Sequence, residues 1–244
     1  MRKRIGFSGC LITGLFLSIT LHLDAQYMDL LWERIAHYPL NNDATDISIY
    51  ENHGKVYGAS LTIDRHRTNG QAYSFDGLND YILCGTQMGT LTSSVSVSCW
   101  IKTDGSGDYS HIVSKYDYSA DGGFILGVQD GLAIWAGRVG SGKYIRISSR
   151  SRIDDNQWHH LIGIINNSNW WLYIDGVLEN HTNIEYRRTN LDCSAPLTIG
   201  MFYGGDQGNL HPFSGSVDEV ILYRRPLNDC EIEFLYTGNN GDGR

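Results

Sequence analysis

The chain has 244 residues and is acidic, with 27 Asp and Glu against 19 Lys and Arg and a formal net charge of −8. Scattered basic residues on an acidic chain argue against a nucleic-acid binder or an anionic-membrane binder. With 28 glycines and no long segment repeating apolar residues at helical spacing, a helical bundle is excluded as well.

Met1 to Arg4 are basic, Ile5 to Leu23 are mostly apolar, and Ala25 supplies a small residue at the end. This predicts a signal peptide over residues 1–25 and a mature chain from Gln26. Losing three basic residues and one acid takes the net charge from −8 to −10. The product would be secreted, periplasmic or held at a cell surface. No later stretch is apolar enough to span a bilayer, so no membrane span is expected after signal removal. Residues 26–238 fit one all-β domain, and the NNGDGR ending, 239–244, reads as a flexible tail. Four cysteines remain after the leader: Cys84, Cys99, Cys193 and Cys230. In an exported chain they permit two disulfides with three pairings, or they sit as small buried thiols. No CxxC pair points to structural zinc.

Residues 41–58 are rich in Asn, Asp, Ser and Gly and read as a long ordered loop. Ala59 to Ile63 reads as a strand. QAYSFDGLNDYILC, residues 71–84, reads as a hairpin turning at Asp76-Gly77. In Ser94 to Lys102, Val95, Val97, Cys99 and Ile101 face one way, and Ser94, Ser96, Ser98 and Trp100 the other. Short strands with Gly, Asn or Asp turns continue through His111–Tyr116, Phe124–Val128, Leu132–Ala136, Tyr144–Ser148, Leu161–Ile165, Trp170–Ile174, Pro196–Gly200 and Ser216–Tyr223. Pro226 to Tyr236 holds the one helical candidate, with Asn228 as N-cap and Glu231 three residues on. Roughly a dozen strands without βα alternation predict an all-β, two-sheet antiparallel sandwich with a short C-terminal helix.

The run AYSFDGLNDYI, SVSCWIK, WHHLIGIIN, WWLYIDGVL, then LTIG through FSGSVDEVILYRRPL to EIEFLY, resembles the LamG-like jelly-roll domains of the concanavalin A-like lectin/glucanase superfamily. The order matches from about Ala36 to Tyr236. The resemblance implies a jelly-roll sandwich. That fold hosts lectins, adhesion modules and glycosidases, so function must be argued from a site. It also implies a calcium ion where an N-terminal loop meets a late acidic residue. By position the ligands would be Asp46, Asn52 and Asp218, oxygen donors of the kind Ca²⁺ takes. The alternative is that these Asp and Asn residues are turn formers.

The superfamily's retaining glucanases carry E-x-D-x-x-E on one strand, which puts a nucleophile and an acid on one face. No Glu here has an Asp two positions on. Asp218 and Glu219 are adjacent and on a regular strand would diverge, as would His159 and His160. Trp170 and Trp171 also point oppositely. A non-catalytic binding module is therefore expected, for a glycan or a cell-surface protein. The alternatives are a structural or adhesive part of an extracellular assembly and a divergent glycosidase. Exposed aromatics stack on sugar rings, and rim loops carry them. Tyr109, His111, Tyr116 and Tyr118 are the candidate contact residues.

Overall fold

The computed structural model describes residues 30, 33–86, 91, 93–105, 109–117, 122–139, 143–185, 191, 193–203 and 209–237. The chain divides into two units, Met1–Glu33 and Arg34–Arg244, and the second holds every strand described below. The expected leader and tail lie outside the described residues.

Seventeen strands, numbered in chain order, and one helix, α1 (Asp229–Thr237), make up the described part of this second unit. One sheet runs β13 (Val177–Asn183), β12 (Asn169–Ile174), β11 (Trp158–Asn166), β6 (Ser94–Lys102), β17 (Ser214–Tyr223), β4 (Asn69–Asp76) and β3 (Ser60–Ile63), with β1 (Arg34–Tyr38) beside the second half of β17. The other runs β10 (Lys143–Arg152), β9 (Leu132–Val139), β8 (Gly122–Gln129), β7 (Tyr109–Asp117), β14 (Thr198–Ile199), β5 (Tyr81–Leu83) and β2 (Lys55–Tyr57). A small hairpin, β15 (Phe202–Tyr203) with β16 (Asn209–Leu210), stands apart. Every paired strand is antiparallel. This is the predicted sandwich.

One expectation is corrected. Residues 71–84 are not a hairpin. β4 pairs with β3 and β17, whereas β5 pairs with β2 and β14 in the opposite sheet. The turn at Gly77 carries the chain from one sheet to the other. Asp80 Oδ2 accepts from the Asp76 N–H at 3.0 Å, and Asp76 Oδ1 accepts from the Leu78 N–H at 2.8 Å. These local bonds close a corner instead of a ladder.

Inward-facing residues of both sheets form one core: Val95, Val97, Cys99 and Ile101 of β6 meet Phe124, Leu126, Val128 and Trp135 of the opposite sheet. Trp135 is fully buried. A ring of this size removes roughly 150–250 Å² from water, about 4–6 kcal/mol of transfer free energy. Its partner across the sandwich is Gly163 on β11, where an added Cβ would lie 2.4 Å from the indole. Trp135 Nε1–H donates to the Ile164 carbonyl at 3.2 Å, so the buried indole keeps a partner.

The helix begins as predicted. Asn228 Oδ1 accepts from the Glu231 N–H at 3.0 Å, and Glu231 Oε2 accepts from the Asn228 N–H at 2.8 Å. That reciprocal cap satisfies two otherwise unpaired donors. The segment leading into the helix lies on the outer face of the first sheet, where Ser96 Oγ donates to Arg225 O and accepts from Leu227 N–H. Among the described residues no cysteine forms a disulfide. Cys84 and Cys99 serve as small core side chains, and burial pushes the Cys84 thiol up to about 12.

Candidate functional site

Residues paired across a ladder share a face, so the register fixes what the outer side of the second sheet presents. Leu126 pairs with Trp135 and points inward. One residue either side, Ile125 pairs with Ala136 and Gly127 with Ile134, and these point outward. Tyr109 pairs with Gln129, His111 with Gly127 and Tyr116 with Gly123. Arg146 pairs with Ala136, and Tyr144 with Arg138. Tyr109 and Tyr116 are an odd number of residues apart, so a regular strand would put them on opposite faces. The register shift between His111 and Val113 adds one residue and brings both tyrosines to the outer face.

The outer side chains enclose a cavity of about 350 Å³ lined by Tyr109, Tyr116, Gln129, Arg138, Tyr144 and Arg146. Tyr109 Oη and Tyr144 Oη are 3.2 Å apart. Arg138 Nε–H donates to Tyr116 Oη at 2.6 Å, and Arg146 donates to Gln129 Oε1. The Tyr116 and Tyr144 rings meet edge to face, 6.4 Å between centroids. Tyr116 packs with Ile125, Ala136 and Phe202 in a small apolar cluster. Tyr144 is 40% exposed. A second cleft, about 540 Å³, shares Tyr144 and Arg146 with the first and continues past the edge of β10 to residues 182–185. Apolar ring faces, hydroxyls and guanidinium donors make this the candidate site. Among the described residues lining the first cavity, none is a carboxylate.

Of the expected contact residues, the structure brings Tyr109 and Tyr116 together. Tyr118 lies outside the described residues. His111 is fully buried beneath the small hairpin, against Tyr109, Phe202 and His211, and among the described residues neither ring nitrogen has a partner. Burial, with the neighbouring His211, pushes its pKa down to about 3. It is not among the residues that line the cavity. Sequence reasoning missed Gln129, Arg138, Tyr144 and Arg146. Strand alternation places Tyr144 with Arg146, but only strand order sets them beside Tyr109.

A calcium ion at Asp46, Asn52 and Asp218 does not fit this donor set. Asp46 Oδ1 accepts from His37 N–H and Ser48 N–H, both at 2.9 Å. Its Oδ2 accepts from Ser48 Oγ–H at 2.9 Å and Asn52 N–H at 3.0 Å. Asp46 and Asn52 do come together, but as a loop staple. Asp218 faces the Arg65 guanidinium at 2.5 Å, where a second cation would be repelled. Among the described residues, no group of three His, Cys, Asp or Glu side chains is placed to hold a metal.

The expected divergence of Asp218 and Glu219 meets an irregular strand. β17 shifts register between Asp218 and Ile221, and Glu219 has φ 53°. Glu219 Oε1 pairs with His37 Nε2 at 2.6 Å, so each carboxylate has its own cationic or imidazole partner. Burial lifts the Asp218 carboxyl to about 7 against the pull of Arg65, helped by Glu219 and Asp64. His159 and His160 do diverge. His160 is buried and shares a hydrogen bond with Ser98 Oγ at 2.8 Å. His159 is held by Asp175 at 2.8 Å and Asp155 at 3.1 Å. Trp170 is buried, and Trp171 stacks on His181, 5.1 Å between centroids.

The two-sheet antiparallel sandwich is the architecture that the sequence resemblance implies. The chain belongs to the concanavalin A-like lectin/glucanases superfamily, whose laminin G-type family model matches residues 75–233. No curated protein matches it. Among solved structures it is similar to the binding domain of Paraclostridial Mosquitocidal Protein 1, at TM-score 0.70 and 18% identity, over 86% of this chain and 53% of that one. It is likewise similar to the botulinum neurotoxin serotype D binding domain, at TM-score 0.65 and 18% identity, over 87% of this chain and 52% of that one. The chain therefore spans about half the length of these toxin domains. Domain 4 of AbnA, a GH43 extracellular arabinanase from Geobacillus stearothermophilus, solved with arabinotriose, aligns at TM-score 0.64 and 19% identity, over 84% of this chain and 98% of that one. At these identities the likeness is one of fold.

Proposed function

We propose that this chain is an exported, non-catalytic glycan-binding module. The observation that carries the reading is the cavity on the outer face of the second sheet, with Tyr109, Tyr116 and Tyr144 around it and Gln129, Arg138 and Arg146 beside them. Tyrosine offers a sugar an apolar ring face and a hydroxyl at little conformational cost. The arabinotriose bound by the arabinanase domain of the same fold supports the ligand class. The carboxylate-free described lining supports binding without hydrolysis, since glycoside cleavage ordinarily takes two carboxylates flanking one bond. Export rests on the basic start and apolar run of residues 1–25.

A glycan array probed with the chain lacking residues 1–25, with calcium and with chelator, tests this. The expected result is binding to a restricted glycan set that chelation leaves intact. Absence of binding in both conditions overturns the reading, and capture of a protein partner in a surface pull-down then replaces it.

A further inference from the structure

Charge in and beside the two clefts runs opposite to that of the chain. The whole chain carries −8, yet the described lining of the clefts supplies Lys143, Arg138 and Arg146 against a single acid, Glu185. Lys143 and Arg146 are exposed on the edge strand β10. Among the described residues neither has an ion-pair partner; Arg146 leans on the neutral Gln129 amide. A site built for the hydroxyls of a neutral sugar gains from side-chain carboxylates, which accept strongly. A guanidinium only donates, and its planar fork matches an anionic oxygen pair. The two clefts also meet at Tyr144 and Arg146. A ligand lying on Tyr144 therefore has room to extend on either side of it, past Arg146 in both directions.

Resting on the glycan reading above, we infer that the ligand is an anionic oligosaccharide. It crosses Tyr144 as a chain and places a carboxylate or sulfate group on Arg146, with Lys143 meeting a further charge along the second cleft. The Arg146–Gln129 contact opens to admit the anion. Replacing an amide partner by an anion converts a neutral acceptor into a charge-assisted one, roughly twice as strong.

The test is calorimetric titration of the full secreted chain with size-matched oligosaccharides: a polyuronate, a sulfated glycan and a neutral arabinan. The expected result is that an acidic oligomer binds on the order of tenfold tighter than the neutral one. Affinity for it should fall as salt rises to roughly 0.5 M. The uronate and sulfate arms identify the anion. Arg146→Gln should remove about tenfold from acidic binding and weaken neutral binding by less, so that the acidic-over-neutral preference falls. Lys143→Gln should weaken only the longer acidic oligomers. Arg146 is exposed, so an unchanged melting temperature in Arg146→Gln excludes misfolding as the cause. If the neutral oligomer binds as tightly and Arg146→Gln changes nothing, the anionic assignment is overturned while the glycan reading stands. If no oligomer binds and Tyr144→Ala is silent on every ligand, the glycan reading falls, and this inference with it.

Discussion

The hydroxyls of Tyr109 and Tyr144 meet at 3.2 Å although β8 and β9 lie between their strands. Three strand spacings amount to about 14 Å, so the two rings must lean toward each other over the strands between. They clear them because Gly127 and Ala136 face outward there. At Gly127 the backbone leaves no alternative, since a Cβ would lie 2.3 Å from the Ser110 carbonyl oxygen. Both rings line the cavity, and Tyr144 stays exposed.

Tyr144→Ala should therefore weaken glycan binding on the order of tenfold, the worth of one aromatic contact. Its melting temperature should change little, because exposed positions shift stability within about 0.5 kcal/mol. Tyr109→Phe keeps the ring and loses only the hydroxyl contact, so its effect should be smaller. Titration of both variants against one glycan ranks them.

Gly163→Ala should cost about 1–3 kcal/mol, the penalty for forcing a methyl into a packed core. The new carbon would sit 2.4 Å from the Trp135 ring, which is fully buried and held by its N–H bond. Chemical denaturation checks this, and the near-ultraviolet signal of Trp135 should change with it.

Asp46→Ala should destabilise the fold by about 2–4 kcal/mol, because the donors from His37, Ser48 and Asn52 lose their acceptor. A staple of this kind acts without metal, so the loss should be equal in calcium and in chelator. A melting temperature that rises with calcium in the parent chain and not in Asp46→Ala would return the carboxylate to a metal role.

His111→Phe should stabilise the protein by about 1–3 kcal/mol at neutral pH, since the imidazole always carries at least one N–H and here that donor is buried without an acceptor. A phenyl ring keeps the packing against Tyr109, Phe202 and His211. Denaturant midpoints at one pH compare the two chains.

The same residue sets a pH signature, and Asp218 sets the opposite one. His111 falls from 6.5 in the unfolded chain to about 3 in the fold. Its contribution is present above pH 6.5 and lost as pH falls toward 3. Burial likewise pushes His160 down to about 3, with Arg65 adding to the shift. Asp218 rises from 3.8 to about 7, so the fold holds its proton and gains stability as pH falls across that window. Each group is worth about 1.4 kcal/mol per pH unit inside its window. Between about pH 6.5 and 4, His111→Phe should therefore flatten the acid loss by about one proton, and Asp218→Asn should steepen it by about one. Urea titrations at several pH values read both slopes.

Alternation alone sorted β6 into its core and outer faces and separated Trp170 from Trp171. The spacing from Asn228 to Glu231 set the start of α1 through a cap that closes within one turn. These features were legible because period two and a one-turn cap are local properties of the chain. The tyrosine cavity was only half legible. Tyr109 and Tyr116 stood out by residue type, but the extra residue near Ile112 that turns both outward is a ladder irregularity, visible only against β8. Tyr144 and Arg138 face each other across the β9–β10 ladder, and only the order of β7, β8, β9 and β10 brings them to Tyr109 and Tyr116. Whether residues 71–84 fold back on themselves or cross between sheets depended on which strands compete for β4, and β17 wins it. Asp46 could read as a metal ligand or a turn former until the amides of His37, Ser48 and Asn52 converged on it. The sequence determined which side chains are apolar and where the chain can turn; the tertiary structure decided which outward residues meet, because strand pairing joins segments far apart in the chain.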